Sequence, residues 1–162
     1  MGIKFEGKMM RKLKIEEGFS LVEVVIVIVI LGIISVVAIP RVSNFISQSK
    51  INATMNEMKI LKKAIIGDPS YTVNGVPIDR GFKGDVGQSP AKLEDLVTND
   101  GSYPAWNRWT KTGWNGPYIN DNGSGDYLRD AWGTEYQLTS NSIRSAGPNK
   151  VFGDDDDIVV NY

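Results

Sequence analysis

The chain has 162 residues, with 18 basic and 19 acidic side chains, no cysteine and no histidine. The lack of cysteine excludes disulfides and thiolate metal sites. Without cysteine or histidine, the usual nucleophile–base pairs of hydrolases are missing, and so are the common nitrogen ligands of transition metals. We therefore do not expect an enzyme, and because no basic face stands out we expect no nucleic-acid binding.

The first segment, residues 1–18, is basic and ends in Gly18. It carries five lysines or arginines and three glutamates, and positive residues that precede a first apolar helix hold that side in the cytoplasm. Without this segment, 13 basic and 16 acidic residues remain, so the rest of the chain is mildly acidic.

The next segment, residues 19–39, is an apolar run that predicts one transmembrane helix, because about 20 apolar residues cross a bilayer. An ionised side chain inside such a helix costs about 2.5–3.5 kcal/mol, so the carboxylate of Glu23 indicates a function. A free α-amino group is the partner that we expect for it. Four residues alone interrupt the run: Ser20, Glu23, Gly32 and Ser35.

The Gly18-Phe19 junction, the carboxylate five residues after the glycine and the long apolar run closely resemble the class III leader of the type IV pilin and pseudopilin superfamily. The resemblance implies that a prepilin peptidase cuts between Gly18 and Phe19, methylates the nitrogen of Phe19 and leaves Glu23 as the fifth mature residue. Phe19 and Glu23 are then the assembly residues. The alternative is a plain signal anchor in which Glu23 snorkels to the interface. That alternative explains the charge but not the Gly-Phe junction.

Residues 40–67 predict an amphipathic continuation of the helix. Pro40, at the junction, kinks such a helix or melts it locally. Gly67, followed by Asp68-Pro69, predicts the end of the helix. One buried face is indicated by apolar residues at helical spacing: Ile51, Met55, Met58, Leu61 and Ile65.

Residues 68–162 predict one globular domain. Residues 70–101 have the composition of a loop, except for a short helix of two or three turns with Ser89 as its N-cap and Pro90 at its first position. Aromatic residues then lie among glycine and asparagine, and we expect them to cover a small core rather than to stack on sugars or bases. These residues are Trp106, Trp109, Trp114 and Tyr118.

Alternating apolar and polar residues predict strands at 134–139, Ser142–Ser145 and Ile158–Asn161. The first two strands flank a Ser140-Asn141 turn and should pair as an antiparallel hairpin. The predicted fold class is α+β, a long N-terminal helix packed on a small antiparallel sheet, which matches the pilin fold.

Four adjacent carboxylates, Asp154 to Asp157, precede the last predicted strand. Such a run alone is usually a solvated turn. Here the turn also holds Gly147, Asn149 and Gly153, so it offers oxygen ligands without nitrogen or sulfur, which suits calcium. In the nearby sequence, Lys150 alone is expected to offset the negative charge.

Two segments, residues 130–137 and 145–158, are similar to the major pseudopilin family of type II secretion systems. The resemblance implies a C-terminal calcium loop. The chain departs from the family pattern where Ala131 replaces a proline, where Asn149 replaces an acid and where 71–88 is longer. The implied calcium ligands are the Ala146 carbonyl, Asn149, Asp156 and Asp157, with Asp154 as a compensating ligand.

The resemblance also implies a function, a homopolymer built through the N-terminal helix that helps to export folded proteins across the outer membrane. The expected location is the inner membrane, spanned once and surrounded by membrane lipid, with the C-terminal domain in the periplasm. The expected partners are minor pseudopilins and the inner-membrane assembly platform. One alternative is a type IV pilin of an extracellular fibre for adhesion, motility or redox contact. Another is a membrane-anchored, calcium-dependent enzyme.

Overall fold

The computed structural model describes residues 18–162, with the backbone alone at 37–40. The predicted leader therefore lies outside the described residues, except for Gly18. The chain divides into two units, of which the first ends at Val42 and the second spans Ser43–Tyr162. The first helix, α1, comprises Leu21–Ile66 and contributes to both units. It continues through Pro40, so the proline does not melt it.

The N-terminal half of α1 is exposed and apolar. Among the described residues, α1 is the one helix long and apolar enough to cross a membrane, and its most apolar stretch has a mean hydropathy of 3.2. Its aliphatic side chains are uncovered, from 80% exposed at Leu21 to 45% at Val25. Side chains of this kind require lipid or other apolar surfaces around them.

The C-terminal half of α1 packs against the globular domain, but its buried face differs from the predicted one. Ile51 is half-buried and Met55 is 36% exposed, so the prediction was wrong for both. Thr54 is buried instead, because its hydroxyl accepts a hydrogen bond from the Ala131 amide at 3.1 Å. An apolar pattern cannot reveal a polar residue in this role. The buried residues of this half are Thr54, Met58, Leu61, Ala64 and Ile65.

Gly67 ends α1, as predicted. Its φ of +83° lies in the left-handed region that favours glycine. Its amide donates to the Lys63 carbonyl at 2.7 Å, and a Cβ at this position would collide with the backbone of Asp79. The close approach holds the chain after Asp79 against the end of α1.

Residues 70–101 contain a hairpin and a helix that the sequence analysis missed. Strands β1 (Thr72–Val73) and β2 (Val76–Pro77) pair antiparallel. The turn between them has two positive φ angles, 52° at Asn74 and 79° at Gly75, as a type I′ turn requires. Helix α2 (Gly81–Val86) follows and buries Phe82 completely.

The short helix expected from Ser89 is smaller than predicted. The structure has one 3-10 turn at Leu93–Leu96. The Asp95 carboxylate accepts hydrogen bonds from the amides of Ala91 at 3.0 Å and Lys92 at 3.1 Å, so the turn is capped there. The Ser89 hydroxyl donates to the Ser140 carbonyl instead of capping a helix.

The C-terminal sheet has three antiparallel strands in sequence order. Strands β4 (Ser142–Ser145) and β5 (Ile158–Asn161) have the predicted bounds. Strand β3 comprises Gln137–Leu138 and is shorter than the predicted strand at 134–139, since Glu135 makes an isolated bridge with Arg129. A second 3-10 turn, Asp126–Leu128, lies between the aromatic segment and this sheet.

The core lies between the second half of α1, helix α2 and the sheet. Phe82 contacts the edge of Tyr103 with ring centroids 4.9 Å apart, and Trp114 contacts Tyr118 at 5.9 Å. Trp114 and Tyr118 therefore cover the core, as predicted, whereas Trp109 is 80% exposed and the prediction was wrong for it. The long helix on a small antiparallel sheet confirms the predicted α+β fold.

Candidate functional site

The predicted cleavage junction lies just before α1. Residues 18–20 precede the first helical residue, and the Ser20 carbonyl accepts the first helical hydrogen bond from the Val24 amide at 3.1 Å. Phe19 is 83% exposed, and no atom lies within 4 Å of the position that a Cβ on Gly18 would occupy. Both residues of the predicted cleavage site, Gly18 and Phe19, are thus exposed and accessible to a peptidase.

Glu23 lies in the first turn of α1. Together with Phe19 it lines a shallow surface cavity of about 250 Å³ whose other walls are aliphatic. No hydrogen bond or ion pair to the Glu23 carboxylate occurs among residues 18–162. Ser35, another polar residue of the apolar segment, differs because its hydroxyl donates to the Leu31 carbonyl at 2.7 Å. Within the described residues, the Glu23 carboxylate is exposed and no side chain offsets its charge.

The acidic loop, residues 146–157, connects β4 to β5. Its two ends are adjacent because Ser145 pairs with Ile158 across the two strands. Gly147 has a φ of +64°, and a Cβ there would collide with the backbone of Asp156. This contact closes the loop on itself and brings the segment after Ala146 to the last two acids.

Asn149 brings two of the acids together. Its side-chain nitrogen, Nδ2, donates to Asp154 Oδ2 at 2.6 Å and to Asp156 Oδ1 at 2.8 Å. Its Oδ1 accepts from the Val151 amide at 2.7 Å. Hydrogen bonding between the two carboxyl groups lowers the pKa of Asp154 and raises the pKa of Asp156. For Asn149 to ligate through Oδ1, its amide group would have to rotate.

Asp157 is turned toward a partner that the sequence analysis missed. Its Oδ2 lies 3.5 Å from Arg144 Nη1 and accepts from the Gly153 amide at 2.8 Å. Arg144, rather than Lys150, therefore offsets the acidic charge. The alternation of β4 could have indicated this, because Arg144 and Asp157 become neighbours once β4 and β5 pair.

The loop contains oxygen atoms of the kind that calcium prefers. Buried Asp157 Oδ1 has no hydrogen-bond partner among the described residues, and the predicted ligands are all oxygen atoms. The Asn149 side chain is already hydrogen-bonded to both Asp154 and Asp156. Ala146, earlier in the same loop, is completely buried. Within residues 18–162, no group of three acidic side chains lies close enough together to hold a metal ion. An ion would have to draw Asp157 toward the other two acids.

The comparisons with known proteins match the N-terminal segment and, in the longest alignments, about three quarters of the chain. Residues 13–39 match the prokaryotic N-terminal methylation motif. The type II secretion system core protein G of Xanthomonas campestris is 30% identical over 125 residues, which is 76% of this chain and 69% of that protein. The corresponding protein of Pseudomonas aeruginosa is 26% identical over 126 residues, 75% of this chain and 72% of that protein.

Fimbrial proteins match over a shorter stretch. The type IV major fimbrial protein FimA of Dichelobacter nodosus is 37% identical over 51 residues, which is 32% of this chain and 33% of that protein. The chain thus spans about a third of the length of these fimbrial relatives. No solved structure matches the chain.

Proposed function

The chain belongs to the type IV pilin and pseudopilin superfamily, and we propose that it is the major structural subunit of a type II secretion pseudopilus. In this role it polymerises through α1 and helps to export folded proteins across the outer membrane. The processing enzyme is a prepilin peptidase, and minor pseudopilins and an inner-membrane assembly platform are its partners. Its location is the inner membrane, with the second unit in the periplasm.

The length of the similarity to core protein G carries this proposal. That similarity extends over three quarters of the chain, and therefore well into the globular domain, whereas the fimbrial similarities cover 32% of the chain for FimA and 51% for a fimbrial protein of Pseudomonas aeruginosa. All members of the superfamily share an N-terminal helix of this kind, so a match confined to it does not separate the two filament types. The globular domain separates them, because it forms the surface of the filament.

The features of this chain suit a filament subunit without catalytic chemistry. The exposed aliphatic face of α1 supplies apolar surface for lipid before assembly and for neighbouring helices after it. The acidic loop would hold one calcium ion through Ala146, Asn149, Asp156 and Asp157, with Asp154 alongside. The ion would supply positive charge that offsets the repulsion between these carboxylates and fixes the segment between β4 and β5.

Fractionation of the host bacterium tests the pseudopilus against the extracellular pilus. Deletion of the gene should leave folded secreted proteins trapped in the periplasm and should leave surface fibres unchanged, and the chain should remain with the cells after shearing. Re-expression of the unsubstituted chain is the control. Recovery of the chain in sheared surface fibres, with a normal secretome in the deletion strain, would assign it to a pilus instead.

Processing provides a second expected result. The mature protein should begin at a methylated Phe19, because Gly18 ends the basic segment directly before the apolar run. Intact-mass measurement of the membrane-bound protein checks this. Gly18→Ala should keep the precursor unprocessed, while Gly32→Ala, a glycine in the same region with open space around it, should leave cleavage normal. A membrane-bound protein whose mass still includes residues 1–18 would contradict the prediction.

A further inference from the structure

An ordered loop presents a tryptophan to solvent. The Trp109 loop, residues 105–114, is closed by the Asn107 amide, which donates to the Thr112 carbonyl at 2.8 Å. The Asn107 side chain accepts from the Trp109 amide at 2.9 Å, and the Gly113 amide donates to the Asp85 carbonyl at 2.9 Å. The loop is therefore preorganised, although Trp109 covers none of the core and is 80% exposed.

The tip of the Trp109 loop is cationic as well as aromatic. The Arg108 guanidinium lies 4.4 Å from the centre of the Trp109 ring, a cation–π arrangement. Lys111 follows Trp109 in the sequence and is exposed. Its backbone carbonyl accepts a hydrogen bond from the Arg80 guanidinium at 2.6 Å. Within residues 18–162, neither Arg108 nor Lys111 forms an ion pair. Tryptophan and arginine are the residues most enriched at binding hot spots.

The same unit carries a surface of complementary character, the acidic groove, between α1 and the segment 118–133. It consists of two adjoining cavities of about 550 and 560 Å³ that share Glu57, Ser124 and Asp126 in their walls. Ile60, which is 60% exposed, and Tyr127 supply apolar wall. The groove thus combines carboxylates with apolar surface, which is complementary to an aromatic and cationic loop. Arg129 also lines the groove, but it is paired with Glu135 at 3.3 Å.

The carboxylates of the groove have no cationic partner among the described residues. Glu57 accepts from the Tyr136 hydroxyl at 2.8 Å, and Asp126 accepts from the Ser124 hydroxyl at 2.8 Å. Asp121 accepts from backbone amides alone. Burial raises the pKa of Glu57, and the charges of Asp126 and Asp130 raise it further despite the hydrogen bond from Tyr136. An incoming cation would relieve this repulsion.

We propose that the Trp109 loop of one copy docks into the acidic groove of a second copy, with Trp109 against the apolar wall and Arg108 and Lys111 beside the carboxylates. This inference rests on the proposed function. The two surfaces are different patches of one chain, so the contact is heterologous. Each copy can use its loop on one neighbour and its groove on another, and the contact can therefore repeat from copy to copy. A contact of this type propagates a filament when its rotation does not close into a ring, whereas a self-complementary contact would stop at a dimer.

Disulfide trapping tests the docking, because the chain contains no cysteine of its own. Thr110 and Ser124 are both exposed, lie in the loop tip and the groove wall, and are close to cysteine in size. The full chain carrying Thr110→Cys and Ser124→Cys, assembled in membranes and oxidised, should give a ladder of linked multimers. Co-expressed single variants should give dimers at most. Thr110→Cys paired with Ser140→Cys, in the β3–β4 turn, is the matched control and should give no ladder.

Charge reversal provides the second readout. In the double-cysteine chain, Arg108→Glu should reduce the ladder about tenfold, and Asp126→Lys added to it should restore much of the ladder, since the pair is then reversed. Lys92→Glu, an exposed charge outside both surfaces, should leave the ladder unchanged.

The possible outcomes separate this inference from the proposed function. Filaments of normal yield without a ladder overturn the docking alone, whereas absence of both filaments and ladder overturns the docking and the proposed function. Filaments that lack the ladder, combined with quenching of tryptophan fluorescence by brominated lipid that Trp109→Ala removes, would assign the Trp109 loop to a lipid surface instead. A ladder that Arg108→Glu leaves at full strength also overturns the docking, since charge complementarity is its basis.

Discussion

Glu23→Ala should abolish filament assembly while the precursor still inserts and the globular domain still folds. In a bilayer the carboxylate is best offset by the α-amino group of Phe19 from a neighbouring copy, because a low dielectric constant strengthens such a pair. Removal of the charge makes insertion easier, by at most the roughly 2.5–3.5 kcal/mol that a charge costs at the bilayer centre, so a failure to assemble cannot be attributed to poor insertion. Filament yield, measured by electron microscopy against the amount of membrane-inserted protein, checks this.

Two variants sharpen the Glu23 experiment. Glu23→Gln keeps the size and polarity of the side chain but removes its charge, so it should fail nearly as completely as Glu23→Ala. Ser35→Ala removes a polar group that the Leu31 carbonyl already satisfies, so filaments should form normally. Normal filaments from Glu23→Gln would mean that an uncharged polar side chain is sufficient for assembly, and the ion pair would then no longer explain it.

The elements that followed from the sequence are those with a regular apolar pattern. The bounds of β4 and β5 agree with the alternation of their side chains, and the end of α1 agrees with Gly67. Helix α2 was missed because its six residues include two glycines, and a single buried apolar side chain, Phe82, packs it on the core. Tertiary contact decides such a short element, and no local pattern records it.

The β1–β2 hairpin was missed for a different reason. Its Asn74-Gly75 turn is a recognised hairpin signal between apolar residues, but the surrounding glycines and prolines obscured it. In the acidic loop, the predicted calcium ligands stay a prediction, and the sequence could not show that Arg144 lies beside Asp157. That contact depends on the pairing of two strands separated by the whole loop.

The exposure of Trp109 shows the same limit at the surface. Trp109 and Trp114 occur in similar sequence surroundings, but Trp114 donates its indole N–H to the Asp95 carbonyl at 2.7 Å and packs on the core. Trp109 lies at the tip of its loop instead. The expectation that aromatic residues cover a small core applies equally to both tryptophans. The loop conformation alone decides that Trp114 packs on the core and Trp109 faces solvent.

Calcium should raise the melting temperature of the second unit, Ser43–Tyr162, by several degrees relative to chelator. Four carboxylates share one turn, Arg144 offsets one of them, and Asp157 Oδ1 has no partner within the described chain. Because the folded state alone brings these ligands near one another, stabilisation follows ligand mass action and reaches about 2.7 kcal/mol at a hundredfold excess over Kd. Magnesium should be a poor substitute, because it demands tighter octahedral geometry. Thermal unfolding in millimolar calcium, magnesium and chelator measures this.

The acidic run supplies its own control for the calcium experiment. Asp156→Ala should abolish the calcium response, whereas Asp155→Ala, which removes the same charge from the adjacent position outside the predicted ligand set, should preserve it. Asp157→Ala should also abolish the response, but it breaks the contact with Arg144 and should lower the melting temperature in chelator as well. Equal melting temperatures of the unsubstituted domain with calcium and with chelator would mean that Asp154 to Asp157 form a solvated turn, and that Arg144 and Asn149 alone hold the loop between β4 and β5.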